Sequence, residues 1–275
     1  MRKPHLVGGT LSDVFPVVNF GSNPEANFKS LADFRRDVPH MCGEFYPGWF
    51  NHWGDKFLVK PRAKQTISAV DWMVRNNKSF NLYVVHGGTN FGWSAGANLF
   101  EYFKPTITSY DYGAPIDETG KPNAVFSELR RLLDQQRKLE EPPLPEIPSS
   151  ISRVKETKIV LEQSASLFST LSTPIQDILP ESMEYYGQTY GYIMYRTILD
   201  KAYTGIRCKI SEIHDIAHVY LDGNKIAVLN RIKQKNTFRI PKITNETAVL
   251  DILVEPLGRV NYGFGIQNDR KGIIG

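Results

Sequence analysis

The sequence predicts two kinds of fold in one chain, an α/β part followed by an all-β part, and three observations carry that reading. Three strand-then-helix units follow one another in residues 1–139, the pattern of parallel α/β architecture. Residues 140–150, EEPPLPEIPSS, contain four prolines and read as an extended linker. Over 151–275 the apolar period changes from helical to two, as in an antiparallel sandwich.

In order, residues 14–20, VFPVVNF, are a short β-rich run, and Asn23-Pro24 supplies an N-cap and a proline for the first helical position. The helix that follows runs to about Arg36 and carries Phe28, Leu31 and Arg35 along one side. A strand then ends at Glu44. Pro61 opens a second helix, in which Ala63, Ile67, Val70 and Val74 repeat at helical spacing. A third strand, FNLYVV from Phe80 to Val85, leads into the Gly-rich turn HGGTNFGW. The extended piece TITSYDYGAP precedes a helix from Pro122 to about Leu139, with Val125, Leu129, Leu132 and Leu133 as its buried stripe. After the linker, Ile206, Cys208 and Ile210 alternate with Arg207 and Lys209, Leu250, Ile252 and Val254 share a face, and Asp222-Gly223 marks a hairpin turn.

A chain of 275 residues with 41% hydrophobic content can bury a sizeable core. Its formal charge of +4 is small. The densest basic run, Arg231 to Lys242, alternates with Ile232, Phe238 and Ile240 and reads as a solvated sheet face, so nucleic acid is not an expected partner. Cys42 and Cys208 lie among apolar neighbours and read as core thiols, and neither a metal nor another cofactor is expected. The start MRKPHLVGG has no apolar segment behind its basic residues, and no run reaches membrane-spanning length. Asn77 and Asn245 sit in N-x-S/T sequons, which by themselves do not decide the compartment.

The richest stretch is PHMCGEFYPGWFNHWG, Pro39 to Gly54. Glu44 is followed within ten residues by Phe45, Tyr46, Trp49, Phe50 and Trp53, where the chain's 12% aromatic content predicts about one. A carboxylate at a strand end, opening into an aromatic loop, suits a sugar whose C–H faces stack on rings while its hydroxyls are bonded at the edge. His52 and His86 lack metal spacing and read as structural, and Asp111 reads as a turn or rim hydrogen bonder. Cys42, two residues before Glu44, points to the same side of the strand by the period of two, without a histidine partner for nucleophilic chemistry.

Four motifs in consistent order carry a resemblance. They are Glu44 to Gly54, then Asn81-Leu82-Tyr83 with His86-Gly87-Gly88-Thr89-Asn90-Phe91-Gly92, then Thr108-Ser109-Tyr110-Asp111-Tyr112, and finally Gly258-Arg259-Val260-Asn261-Tyr262-Gly263. Together they resemble successive signatures of the family 35 β-galactosidases. That resemblance implies a TIM (β/α)8 barrel followed by jelly-roll-like β domains, and retaining hydrolysis of terminal non-reducing β-D-galactose by double displacement. It implies Glu44 as the nucleophile after the seventh barrel strand, and Trp49, Tyr83 and Tyr112 as lining of the galactose pocket. Tyr83 and Tyr112 would bond sugar hydroxyls or hold the carboxylate.

A retaining mechanism needs a second carboxyl about 5–5.5 Å from the first. In the family that residue is the Glu of an Asn-Glu pair on the fourth barrel strand, and the pair present here, Asn245-Glu246, falls in the β half. A TIM barrel has eight strand-helix units, of which residues 1–139 supply three. The expectation is therefore a chain holding the last three barrel units, truncated at both ends and without its acid/base residue. By itself it would be inactive, its first half prone to aggregate through open strand edges. The domains expected are 1–139, the C-terminal portion of the barrel, 140–150, the linker, and 151–275, an incomplete accessory sandwich. The expected partner is a β-galactoside, oligosaccharide or glycoconjugate, in an extracytoplasmic setting (secreted, periplasmic or lysosomal). The alternative is a non-catalytic sugar-binding or interaction module with a degenerate barrel.

Overall fold

The computed structural model describes residues 3–138, 140–149 and 154–275. The domain limits drawn at Leu139, Ser150 and Ile151 fall on residues outside these. The chain forms two compact units that interleave in sequence: Met1–Asn51, Asp55–Asn90 and Ile107–Ser152 in the first, and His52–Gly54, Phe91–Thr106 and Arg153–Gly275 in the second.

In the first unit a short helix α1 (Lys3–Gly8) precedes three strand-then-helix pairs: β1 (Val18–Phe20) with α2 (Pro24–Phe34), β2 (Met41–Phe45) with α3 (Ala63–Arg75), and β3 (Ser79–Leu82) with α4 (Ala124–Asp134). The strands make one parallel sheet in the order β1-β2-β3, so the α/β reading of this half holds. Between sheet and helices lies one core that includes Val18, Phe20, Phe28, Leu31, Phe45, Val70, Met73 and Leu129. Phe20 packs edge-on against both Phe28 and Phe45, with ring centres 5.6 and 5.8 Å apart.

Each helix departs in detail from its expected form. Asn23 sits at the start of α2 but in left-handed backbone, φ 52°, and its side chain caps nothing, whereas Pro24 does open the helix. The fully buried line of α3 is Thr66, Ala69, Val70 and Met73, one step round from the expected stripe. Thr66 is admitted because its hydroxyl donates to the Pro47 carbonyl at 3.1 Å. The Asn123 side chain accepts from the Val125 and Phe126 N–H groups and caps α4, which therefore begins at Ala124. Leu133, expected in the buried stripe, is 44% exposed, one position beyond the face held by Val125, Leu129 and Leu132.

The second unit begins with the antiparallel pair β4 (Gly96–Leu99) and β5 (Phe103–Pro105). Its main sheet contains β6 (Ile193–Asp200), β9 (Ile216–Leu221), β10 (Asn224–Asn230) and β12 (Thr247–Glu255), in the antiparallel order β10-β9-β12-β6. Around it lie β7 (Arg207–Lys209) with β11 (Thr237–Arg239), and β8 (Ile213–His214) with β14 (Gly272–Ile273). The β9–β10 turn places Asp222 and Gly223 at φ 48° and 75°, the backbone that a two-residue hairpin demands. By contrast, residues 154–179 contain no strand and leave Ile159, Leu161 and Ile178 exposed. Cys42 and Cys208 are both free thiols.

β13 (Arg259–Gly263) pairs in parallel with β4. Here the glycines of the fourth motif find their reason: a Cβ on Gly258 would stand 2.0 Å from the Gly96 carbonyl oxygen, and one on Gly263 2.0 Å from that of Leu99. Beside this seam is a buried ionic cluster. The Lys271 ammonium, fully covered, reaches Asp215 at 2.8 Å, Asp269 at 3.1 Å and the Gly258 carbonyl at 3.1 Å. Arg231 bonds the same two carboxylates at 2.8 and 2.9 Å, and its guanidinium lies 4.0 Å from the Phe103 ring centre. Arg231 is thus an interior ion-pair residue and not part of a solvated face. Its partners, distant in sequence, give no local sign of themselves.

Candidate active site

β2 ends on the site. Its pairing with β1 matches Val18 to Cys42 and then Asn19 to Glu44, so Gly43 is the extra residue of a bulge. A bulge breaks the period of two. Cys42 and Phe45 both enter the core, and Cys42 goes inward in place of standing beside Glu44 as the unbroken alternation predicts. Burial pushes the Cys42 thiol up to about 11, with the nearby Glu44 charge adding to the rise against two lowering backbone hydrogen bonds, which leaves it inert.

Glu44 is half-buried and doubly held at one oxygen. The Tyr46 hydroxyl donates to Oε2 at 2.6 Å, and the Asn19 amide Nδ2 donates to the same atom at 3.2 Å. The carboxylate is held by these two residues, neither assigned that role from the sequence, while Tyr83 and Tyr112, which were, stand further round as ring neighbours.

Six rings surround this carboxylate's end of the sheet: Tyr46, Trp49, Phe50, Tyr83, Tyr110 and Tyr112. Tyr46 meets Trp49 and Tyr83 edge-on at 5.8 and 6.0 Å. Tyr112 lies 5.7 Å from both Trp49 and Tyr83 and stacks on Tyr110 at 5.3 Å. Phe50 stacks on Trp49 at 5.1 Å and on Tyr110 at 5.3 Å. The four residues expected in the site, Glu44, Trp49, Tyr83 and Tyr112, are therefore brought together through Tyr46. Trp49 is 42% exposed, whereas Tyr112 is 3% exposed and lies beneath it. Of the other aromatics in the stretch, Phe45 is core, and Trp53 goes with the second unit, its N–H donating to Pro105 at 2.9 Å.

The phenols here are poor acids. Burial pushes Tyr46 well above its ordinary value, and its hydrogen bond to Glu44 and the charge of that carboxylate push it further. Burial likewise raises Tyr110, which is hydrogen-bonded to Tyr83, and raises Tyr112, to which the charges of neighbouring phenols and Glu44 add. All three remain neutral donors at any working pH.

The second and third motifs are zipped together. Asn90 N–H donates to the Thr108 carbonyl at 2.7 Å, the Asn90 side chain donates to Ile107 at 2.9 Å, and Thr89 pairs with Ser109. Both hydroxyls of that pair donate to Glu118, that of Thr89 at 2.7 Å. Asp111 accepts from Gly113 N–H at 3.1 Å and is a turn former, and His86 bridges to Ile116. Among the described residues no group of three or more His, Cys, Asp or Glu is placed to hold a metal ion, and no helix is long and apolar enough to cross a membrane. The arrangement holds a carboxyl group in fixed orientation beside an aromatic surface.

Comparison with known proteins gives two family-model matches: "Glycosyl hydrolases family 35" over residues 3–136 and "Beta-galactosidase, first all-beta domain" over residues 180–275. A protein named beta-galactosidase from Xanthomonas manihotis is 37% identical over 277 residues, covering 98% of this chain and 45% of its own length. Beta-galactosidase 8 of Oryza sativa subsp. japonica is 35% identical, with 98% of this chain and 43% of the relative covered. The human beta-galactosidase-1-like protein 3 is 32% identical, at 98% and 41%. The chain spans less than half the length of these relatives.

Proposed function

The chain belongs to family 35 of the glycosyl hydrolases, a carbohydrate-active family, and from that premise we propose that it supplies the nucleophile of a retaining β-galactosidase. The observation that supports this most is the Glu44 carboxylate, hydrogen-bonded by Tyr46 at 2.6 Å within the ring of six aromatic residues. Glu44 attacks the anomeric carbon of a terminal β-D-galactose and forms a covalent glycosyl-enzyme, which water then hydrolyses. Trp49 stacks on the apolar face of the sugar, and Tyr83 and Tyr112 complete the pocket wall.

In the same reading, residues 1–139 carry the last three strand-helix units of a TIM barrel, with His52–Gly54 and Phe91–Thr106 going to the second unit, 140–150 are the linker, and 151–275 are a jelly-roll-like accessory domain. In this reading the general acid/base is a second carboxylic acid outside these 275 residues, since the Asn245-Glu246 pair does not fit the family motif. Lack of acid/base assistance costs about 10²–10⁴-fold in rate, so these residues alone do not turn over β-galactosides usefully.

The test is mechanism-based trapping on the full-length protein. A 2-deoxy-2-fluoro-β-galactoside with a good leaving group should leave its sugar on the peptide carrying Glu44, as read by mass spectrometry. A label on any other residue removes the assignment.

A further inference from the structure

The site contains an asymmetry that the nucleophile role alone does not require. Val18 and Phe20 point into the core, and Asn19 between them lies on the other face of β1. The bulge at Gly43 then brings Glu44 into register with it. A Cβ on Gly43 would stand 2.8 Å from Val17 Cγ2 and 3.1 Å from Asn19 Oδ1, so a larger residue there would push on both side chains. Asn19 thereby grips Glu44 at both ends: its Oδ1 accepts from the Glu44 backbone N–H at 3.1 Å, and its Nδ2 donates to Oε2 at 3.2 Å. The backbone N–H can only donate, so the amide's oxygen must face it and its NH₂ must face the carboxylate. Tyr46 donates to Oε2 as well, and among the described residues no donor reaches Oε1.

We infer that Asn19 is a positioning residue that, together with Tyr46, assigns the two oxygens of Glu44 to different tasks, Oε1 to bond the sugar and Oε2 to carry the charge. This rests on the reading of Glu44 as nucleophile. In the first step a lone pair on Oε1 forms the bond to the anomeric carbon while the bond to the aglycone oxygen breaks. That oxygen keeps the electron pair and takes a proton from the general-acid carboxyl. Oε2 becomes the carbonyl oxygen of the glycosyl ester. In the second step water, giving its proton to the same carboxyl group, now a base, attacks the anomeric carbon. The bond to Oε1 breaks and its electron pair returns to the carboxylate. Donors on Oε2 stabilise the departing carboxylate, so their loss slows the second step more than the first.

The titratable groups that the Glu44 charge reaches are the phenols of Tyr46, Tyr110 and Tyr112 and, from the core side of the strand, the thiol of Cys42. A new carboxylate at position 19 would be the one added charge among them. Asn19→Asp is nearly isosteric and keeps the acceptor for the Glu44 N–H, but sets a second carboxylate against Oε2.

The experiment uses the full-length protein and an aryl β-galactoside whose good leaving group makes the second step limiting. In Asn19→Ala, kcat should fall about tenfold or more, with KM falling alongside it and glycosylated Glu44 accumulating in the steady state. In Asn19→Asp, the acid limb of kcat/KM should move up by about one pH unit or more. Parallel loss of kcat and kcat/KM without accumulation, or an unmoved acid limb, overturns the role of Asn19 while Glu44 still takes the fluorosugar label. A label that misses Glu44 in the unmodified protein instead overturns the reading on which the inference rests.

Discussion

Gly87 lies so close to the Tyr110 carbonyl oxygen that a methyl group built on it would stand 1.7 Å away, and one on Gly48 would stand 2.1 Å from the carbonyl of Tyr112. The two glycines seat the loop that brings Tyr110 and Tyr112 under Phe50 and Trp49. Gly87→Ala and Gly48→Ala should each cost about 1–3 kcal/mol of stability, by displacing that loop. If the proposed function holds, they should also weaken galactose binding by the full-length protein. Thermal unfolding and a sugar titration followed by calorimetry on the full-length protein measure both effects, and unchanged values in both would show the loop to be held some other way.

Tyr46→Phe removes one hydroxyl and leaves the ring contacts with Trp49 and Tyr83 in place. The lost bond is to a charged group, worth about 1.5–3 kcal/mol, so kcat in the full-length protein should drop roughly 10–100-fold with little change in melting temperature. A variant of ordinary kcat would mean that the phenol is a spectator.

Lys271→Met leaves Asp215 and Asp269 buried with Arg231 as their remaining cation. Breaking a buried ion pair in this way costs about 3–5 kcal/mol. Denaturant unfolding should register the loss in the second unit, and a cost under about 1 kcal/mol would remove the cluster from the stabilising interactions.

The same cluster makes the second unit sensitive to acid. Burial lowers the His214 pKa from 6.5, and the Arg231 charge lowers it further, against opposing contributions from the Arg270 carbonyl, Asp215 and Asp269. Burial alone would raise Asp269, but Lys271 and Arg231 with the Val260 N–H outweigh it and hold the carboxyl below 3.8. In both cases the unfolded chain binds more protons. The stability contributed is complete above the unfolded pKa and is lost as pH falls, from about 6.5 downward for His214 and from about 3.8 downward for Asp269. Unfolding free energy should therefore decline on acidification below about pH 6.5, and His214→Gln should flatten the first part of the decline. A profile that rises on acidification would reverse the sign.

Glu44 and Trp49 stand out because they lie in the stretch whose aromatic content departs from chance, whereas Tyr83 and Tyr112 are reached only through the resemblance that their motifs carry. Asn19 stayed hidden because its part depends on register. Alternation says which face a residue takes but not which residue stands opposite, and the bulge at Gly43 decides that. Arg231 misled for a related reason. It sits in a basic run, and the carboxylates that bury it, Asp215 and Asp269, come from other turns of the chain. Parallel strand-helix order and the Asp222-Gly223 hairpin were readable because both are local. The β4–β13 pairing was not, since parallel neighbours need no nearness in sequence.

That last pairing sets a timetable for synthesis. More than half the sequence separates Gly96 from Arg259, the residues that open it, and Ala97 and Phe103 share their small apolar cluster with Val260. While the ribosome is still translating the intervening residues, the β4–β5 hairpin is a template with one bare rim and nothing to dock on it. The nascent chain must keep that rim from the wrong partner until its own late strand emerges.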